Sequence, residues 1–136
     1  MEICTLCTKS KYPIIFTNNN FRIVLINDQN YPGYCRIETI KHIKEMTDLD
    51  ETLQQECISL VFAIEKGLRN ILNPEKINIA SLGNKTPHLH WHIIPRFKND
   101  NHFPESIWAK PIKNNKFDFD KDNEKKFIKK IIKFLN

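Results

Sequence analysis

Three histidines stand at alternate positions in His88-Leu89-His90-Trp91-His92-Ile93-Ile94, and two cysteines stand three apart at Cys4 and Cys7. Side chains alternate across a β-strand, so this spacing sends His88, His90 and His92 out from one face at about 7 Å intervals, and Leu89, Trp91 and Ile93 from the other. Burying three imidazole tips without use costs desolvation at each, so the alternation points to chemistry. Two chemistries fit. In one, a neutral imidazole nitrogen attacks an electrophile while its second nitrogen is oriented by a backbone carbonyl, and a neighbouring histidine offers a proton or hydrogen bond to the developing charge. In the other, His-x-His supplies two ligands to a catalytic zinc. The turn Gly83-Asn84-Lys85-Thr86 just before the strand brings backbone N–H groups, an amide, a hydroxyl and an ammonium, which suits a phosphate and favours the first chemistry. The Cys-x-x-Cys spacing suits a metal or a redox pair, a choice that needs further ligands. Cys35 and Cys57 fall within apolar strand and helix patterns and read as small buried hydrophobes.

The elements that must position these groups follow from hydrophobic period. Residues 21–26 form a β-rich run, turn chemistry fills 27–33, and 35–40 reads as the antiparallel partner. Leu53, Cys57, Leu60, Val61, Ile64, Leu68, Ile71 and Leu72 lay one apolar stripe along a helix, with Thr47 or Asp48 placed to cap it and Asn73-Pro74 to end it. That stripe is core and calls for no organic cofactor. Residues 76–82 have strand character and pair, through the polar turn, with the histidine strand. Residues 98–118 read as a long ordered loop, in which Trp108 packs and His102 takes no role. A last helix from about Asp120 places Phe127, Ile128, Ile131, Ile132 and Leu135 on one face and Lys129, Lys130 and Lys133 on the other.

A chain of 136 residues is the size of one domain. Residues 1–109 form its body, and 110–136 a Lys-rich extension of the same domain. The start resembles no secretory signal, and no run reaches the roughly 18 to 20 apolar residues of a membrane span. A cytoplasmic protein with reduced cysteines is the expectation. The formal charge is +5, but residues 110–136 hold nine Lys against four Asp or Glu, which leaves the rest with twelve of each sign. The excess is a solvated helix face, so nucleic acid is not the expected partner.

The string His88 to Ile94 has the form His-φ-His-φ-His-φ-φ and resembles the histidine triad (HIT) superfamily. The strand pair, the loop with Asn27 and Asp28, Pro32-Gly33, the His42 region, the long helix and the Pro95-Arg96 exit follow in the order that family shows, over roughly residues 1–97. The resemblance implies a small α+β domain, an antiparallel sheet packed by one long helix plus a C-terminal helix, pairing as a homodimer. It implies binding of a nucleoside phosphate substrate such as a dinucleoside polyphosphate or another AMP conjugate. His90 would attack the α-phosphorus and hold the nucleotidyl group, and His92 would contact the phosphate or leaving group. Asn27 or Asp28 would meet the ribose, and Asn84, Lys85 and Thr86 the phosphates, although the turn is shorter than in the phosphoramidate-hydrolysing branch. Short bacterial-type members with Cys-x-x-Cys, and more distantly the galactose-1-phosphate uridylyltransferases, add a structural zinc. Its ligands here would be Cys4, Cys7, His42 and His88. The rival reading is a nucleotide-binding regulatory module that turns over slowly.

Overall fold

The structure, a computed structural model, describes residues 3–26 and 28–135. Its strands are β1 (Ile14–Thr17), β2 (Phe21–Leu25), β3 (Cys35–Thr39), β4 (Lys76–Ala80) and β5 (His90–Arg96), all antiparallel to their neighbours in the order β1-β2-β3-β5-β4. Period-two alternation gives the sheet two unlike faces. Phe21, Ile23 and Leu25 of β2, Cys35 and Ile37 of β3, and Ile93 of β5 enter the main core. Arg22, Arg36, Glu38, His90 and His92 occupy the other register and point to the opposite face.

Helix α1 (Glu51–Leu72) covers the apolar face with Cys57, Leu60, Val61, Ile64 and Leu68. Its cap differs from the sequence expectation. Asp50 is the capping residue, accepting the Leu53 N–H at 2.9 Å. Thr47 and Asp48 instead belong to a separate 3-10 turn (Met46–Asp48), where the Asp48 carboxylate accepts the Glu45 N–H at 2.9 Å. Leu49 is extended between the two, so the chain starts a second time. At the other end Asn73 adopts the left-handed conformation at φ 47° and stops the helix before Pro74.

Helix α2 (Lys121–Ile131) starts at its cap Asp120 and sends Phe127 and Ile131 into the same core. Gly67 of α1 makes this docking close, because a Cβ there would lie 2.4 Å from Ile131 Cδ1. β1 was not anticipated: Ile14-Ile15-Phe16-Thr17 is short, and only Ile15 is buried. Between β5 and α2 the chain is irregular, as expected, and no described helix is long and apolar enough to cross a membrane.

Candidate functional site

The histidine strand begins at His90, two residues later than its alternation predicts. Leu89 N–H donates to Ile43 O at 2.7 Å and Thr39 N–H to Leu89 O at 3.2 Å, which binds residues 88–89 to the loop after β3. His88 is thereby separated from the other two and buried beside His42.

For His88 and His90 one nitrogen is assigned by a backbone carbonyl, a neighbour that can play only one role. A carbonyl only accepts, so the 2.7 Å contact from His88 Nε2 to Thr39 O puts the hydrogen on Nε2 and leaves Nδ1 as a lone pair. The same logic applies to His90, whose Nδ1 donates to His88 O at 2.6 Å and whose Nε2 is the lone pair. His92 Nδ1 lies 2.5 Å from the Tyr34 hydroxyl. Burial pushes the Tyr34 phenol well above its ordinary range, so it stays protonated. Its O–H has no other acceptor among the described residues and donates to Nδ1, which leaves the hydrogen of His92 on Nε2. Burial, followed by the charges of His90 and Arg36, lowers the His92 pKa to about 4. Thus His90 presents a lone pair and neutral His92 an N–H, with ring centroids 4.8 Å apart at 82°.

Glu38 stands opposite His90 in the β3–β5 register and Arg36 opposite His92. Glu38 is fully buried, and its two oxygens accept from Arg22 Nε at 2.5 Å and Arg36 Nε at 2.6 Å. A buried carboxylate shared by two guanidinium groups is compensated and held in one place. Sequence reasoning missed this ladder and missed Tyr34. The signal was present in the alternating Arg22, Arg36 and Glu38 within two apolar strands. Trp108, expected to be packing, is half-exposed with its ring centroid 5.1 Å from that of His92.

A second cluster lies at the other end. The side chains of Cys4, Cys7, His42 and His88 offer ligand atoms that all fall within 4.8 Å of one another. Cys4 Sγ is 3.4 Å from His88 Nδ1, Cys7 Sγ is 3.1 Å from His42 Nδ1 and 3.5 Å from His88 Nδ1, and the two Nδ1 atoms are 3.2 Å apart. A tetrahedral zinc with Zn–S of about 2.3 Å and Zn–N of about 2.0–2.1 Å separates its ligands by about 3.3–3.8 Å. The donor set and its spacing therefore fit a metal ion, and the Thr39 carbonyl aims the His88 lone pair at it in the way an outer partner does. A 3-10 turn (Thr5–Cys7) anchored by buried Leu6 carries the cysteines.

The remaining expected site residues are dispersed. Lys85 and Thr86 line a recess with Cys4 and His42, beside the metal-binding group, and Asn84 is exposed. Asp28 sits at the opposite end, where its charge adds to the upward shift at Tyr34 and its carboxylate accepts the Asn30 N–H at 2.8 Å. Asn27 lies outside the described residues. His102, given no role, contacts the Tyr31 hydroxyl.

Comparison with known proteins follows the same lines. A histidine triad protein from Bradyrhizobium japonicum superposes with a TM-score of 0.78 at 27% identity, over 92% of this chain and 91% of that one. One from Sinorhizobium meliloti gives 0.77 at 25%, over 96% and 98%. A zinc-bound histidine triad family protein from Mycobacterium smegmatis shares the fold, with a TM-score of 0.66 at 18% identity over 93% and 87%. No curated protein sequence matches. The HIT domain model matches residues 8–99, and the chain belongs to that family.

Proposed function

We propose that the protein hydrolyses nucleoside phosphate conjugates, dinucleoside polyphosphates or related AMP donors, through a nucleotidyl group held on His90. The observation that carries this reading is the His88 carbonyl on His90 Nδ1, which in the neutral ring places the lone pair on Nε2, next to His92. The Nε2 lone pair attacks the α-phosphorus, and the bond to the leaving group breaks with its electron pair going to that group. The Nε2–H of neutral His92 donates a hydrogen bond to the departing atom, which leaves as the anion and takes any proton from solvent. Water then attacks the same phosphorus, the P–N bond breaks and returns its pair to His90, and a nucleoside monophosphate leaves. Asn27 or Asp28 holds the ribose in this reading, and Asn84, Lys85 and Thr86 contact phosphate oxygens.

Cys4, Cys7, His42 and His88 would hold a structural zinc, as the donor set suits and as a zinc-bound relative illustrates. A closed set of four protein ligands supplies folding energy and leaves no open position for a reacting water. The same reading takes the working unit to be a pair of chains, for which the edge strand β4, with Ile79 part-exposed, offers a surface.

The test is intact-protein and peptide mass spectrometry after incubation with an AMP donor and an alkaline quench. The expected result is an AMP-sized adduct on the peptide carrying His90. It disappears in His90→Ala, whose turnover falls by about 10³-fold or more. Nucleotide binding without an adduct from any of several donors would favour the slow regulatory module instead.

A further inference from the structure

On the histidine face of the sheet, where the N-terminal segment crosses β2 and β3, a recess of about 310 Å³ has Lys9, Lys11, Tyr12, Arg22 and Arg36 in its wall. No carboxylate lines it. Glu38 beneath is fully buried, with one oxygen given to each arginine.

The positive groups differ in what they still have to offer. Arg22 is committed, because Nη1 donates to Thr8 O and Nη2 to Leu6 O, both at 3.0 Å. Arg36 uses only Nε, and its Nη1 and Nη2 hydrogens have no acceptor among the described residues. Lys9 and Lys11 are exposed and form no ion pair among the described residues. The recess therefore presents two unpaired ammonium groups and the free Nη hydrogens of a guanidinium paired with Glu38, in a concave wall that concentrates positive potential. Glu38 already fixes the Arg36 guanidinium, so little ordering remains to oppose an incoming anion.

An apolar base is the wrong occupant. Lys11 Nζ lies 5.2 Å from the Tyr12 ring centroid and Arg36 Cζ 5.5 Å from it, so cations cover the aromatic surface on which a base would stack. Arg36, in the recess wall, is the cross-strand partner of His92, which sets the recess beside the histidine pair on the same face of the sheet.

We propose that this recess holds a further phosphate group of the substrate, beyond the phosphorus that His90 attacks. The favoured donors are then nucleotides carrying a chain of phosphates, in preference to phosphoramidates that leave as a neutral amine. This inference rests on the nucleotidyl-transfer reading for its place in catalysis, but the recess has a binding test of its own.

Inorganic tripolyphosphate would be titrated calorimetrically into the full chain, into a Lys9→Ala/Lys11→Ala double variant, and into a Lys129→Ala/Lys130→Ala control in the basic tail. All four lysines are exposed, so the fold is not at stake. Binding should weaken about tenfold in the recess variant and stay unchanged in the tail control. In steady-state assays the recess variant should raise KM about tenfold for diadenosine tetraphosphate and leave KM for an AMP phosphoramidate within about twofold. Tripolyphosphate that fails to bind, or that binds both variants equally, overturns the proposal, as does a KM rise shared by both donors. Turnover of neither donor by the wild type, with tripolyphosphate binding still dependent on Lys9 and Lys11, would overturn nucleotidyl transfer and leave the anion site standing.

Discussion

Free in water the imidazoles of His88, His90 and His92 would be chemically alike, and single neighbours make them different. Two carbonyls and one phenol decide which nitrogen carries hydrogen, so the division of labour lies in the partners Thr39 O, His88 O and Tyr34 Oη. Removing the phenolic hydroxyl tests this. In Tyr34→Phe the His92 ring loses its fixed tautomer, nitrogen NMR should show a mixture where the wild type shows hydrogen on Nε2, and kcat should fall about tenfold with KM nearly constant. A single unchanged tautomer would contradict the assignment. His92 also links stability to pH. Its pKa is about 4 in the folded chain, against an ordinary 6.5. Between those values the unfolded chain binds the extra proton, so the His92 contribution is fully present above about pH 6.5 and is lost as pH falls toward 4. The loss amounts to up to about 3 kcal/mol. Urea unfolding at pH 7, 5.5 and 4.5 should show the decline, and a His92→Asn variant should flatten it.

At the level of elements, the irregular segment after β5 is organised around one buried carboxylate. Asp100 accepts from Arg96 Nε at 2.8 Å and Nη2 at 3.0 Å, and from the backbone N–H groups of Phe97, His102 and Phe103. Burial alone would raise its pKa, but Arg96 and these N–H groups outweigh it and hold the carboxyl at about 2. Asp100→Asn leaves Arg96, 2% exposed, without its counter-charge. A cost of about 3–5 kcal/mol is expected by chemical denaturation, with a shift in Trp108 emission as the segment over His92 loosens. None of this was legible in the sequence, because Asp100 sits among turn-formers and looks solvated. The two helices were legible, since their apolar stripes recur over many turns, and so were the pairs β2–β3 and β4–β5. The helix cap was misplaced because Thr47, Asp48 and Asp50 are all competent caps and only the extended Leu49 decides among them. The juxtaposition of His90 and His92 on one face was legible from spacing alone, and the convergence of Cys4, Cys7, His42 and His88 from resemblance. Arg36 and Glu38 left only the signal of charges alternating within apolar strands, and their pairing, like the place of Tyr34, depends on strand register.

Across the whole molecule residues 4–12 contribute both to the cysteine–histidine cluster and to the recess. They bring Cys4 and Cys7 to His42 and His88, and they wall the recess over Arg36. If zinc closes the cysteine–histidine set, chelation should lower Tm by about 10 °C or more in scanning calorimetry, and a Cys7→Ser variant should start from the lower value and ignore the chelator. An unchanged Tm in the wild type would remove zinc from the account. One residue joins the cluster to His90 directly. His88 gives its ring to the cysteine cluster and its carbonyl to His90. The two contacts are made by one residue, so the position of the His88 ring and the hold on His90 Nδ1 are linked. If His90 is the nucleophile as proposed, its orientation is thereby tied to the integrity of the cysteine–histidine cluster, and loss of the cluster is expected to cost turnover as well as stability.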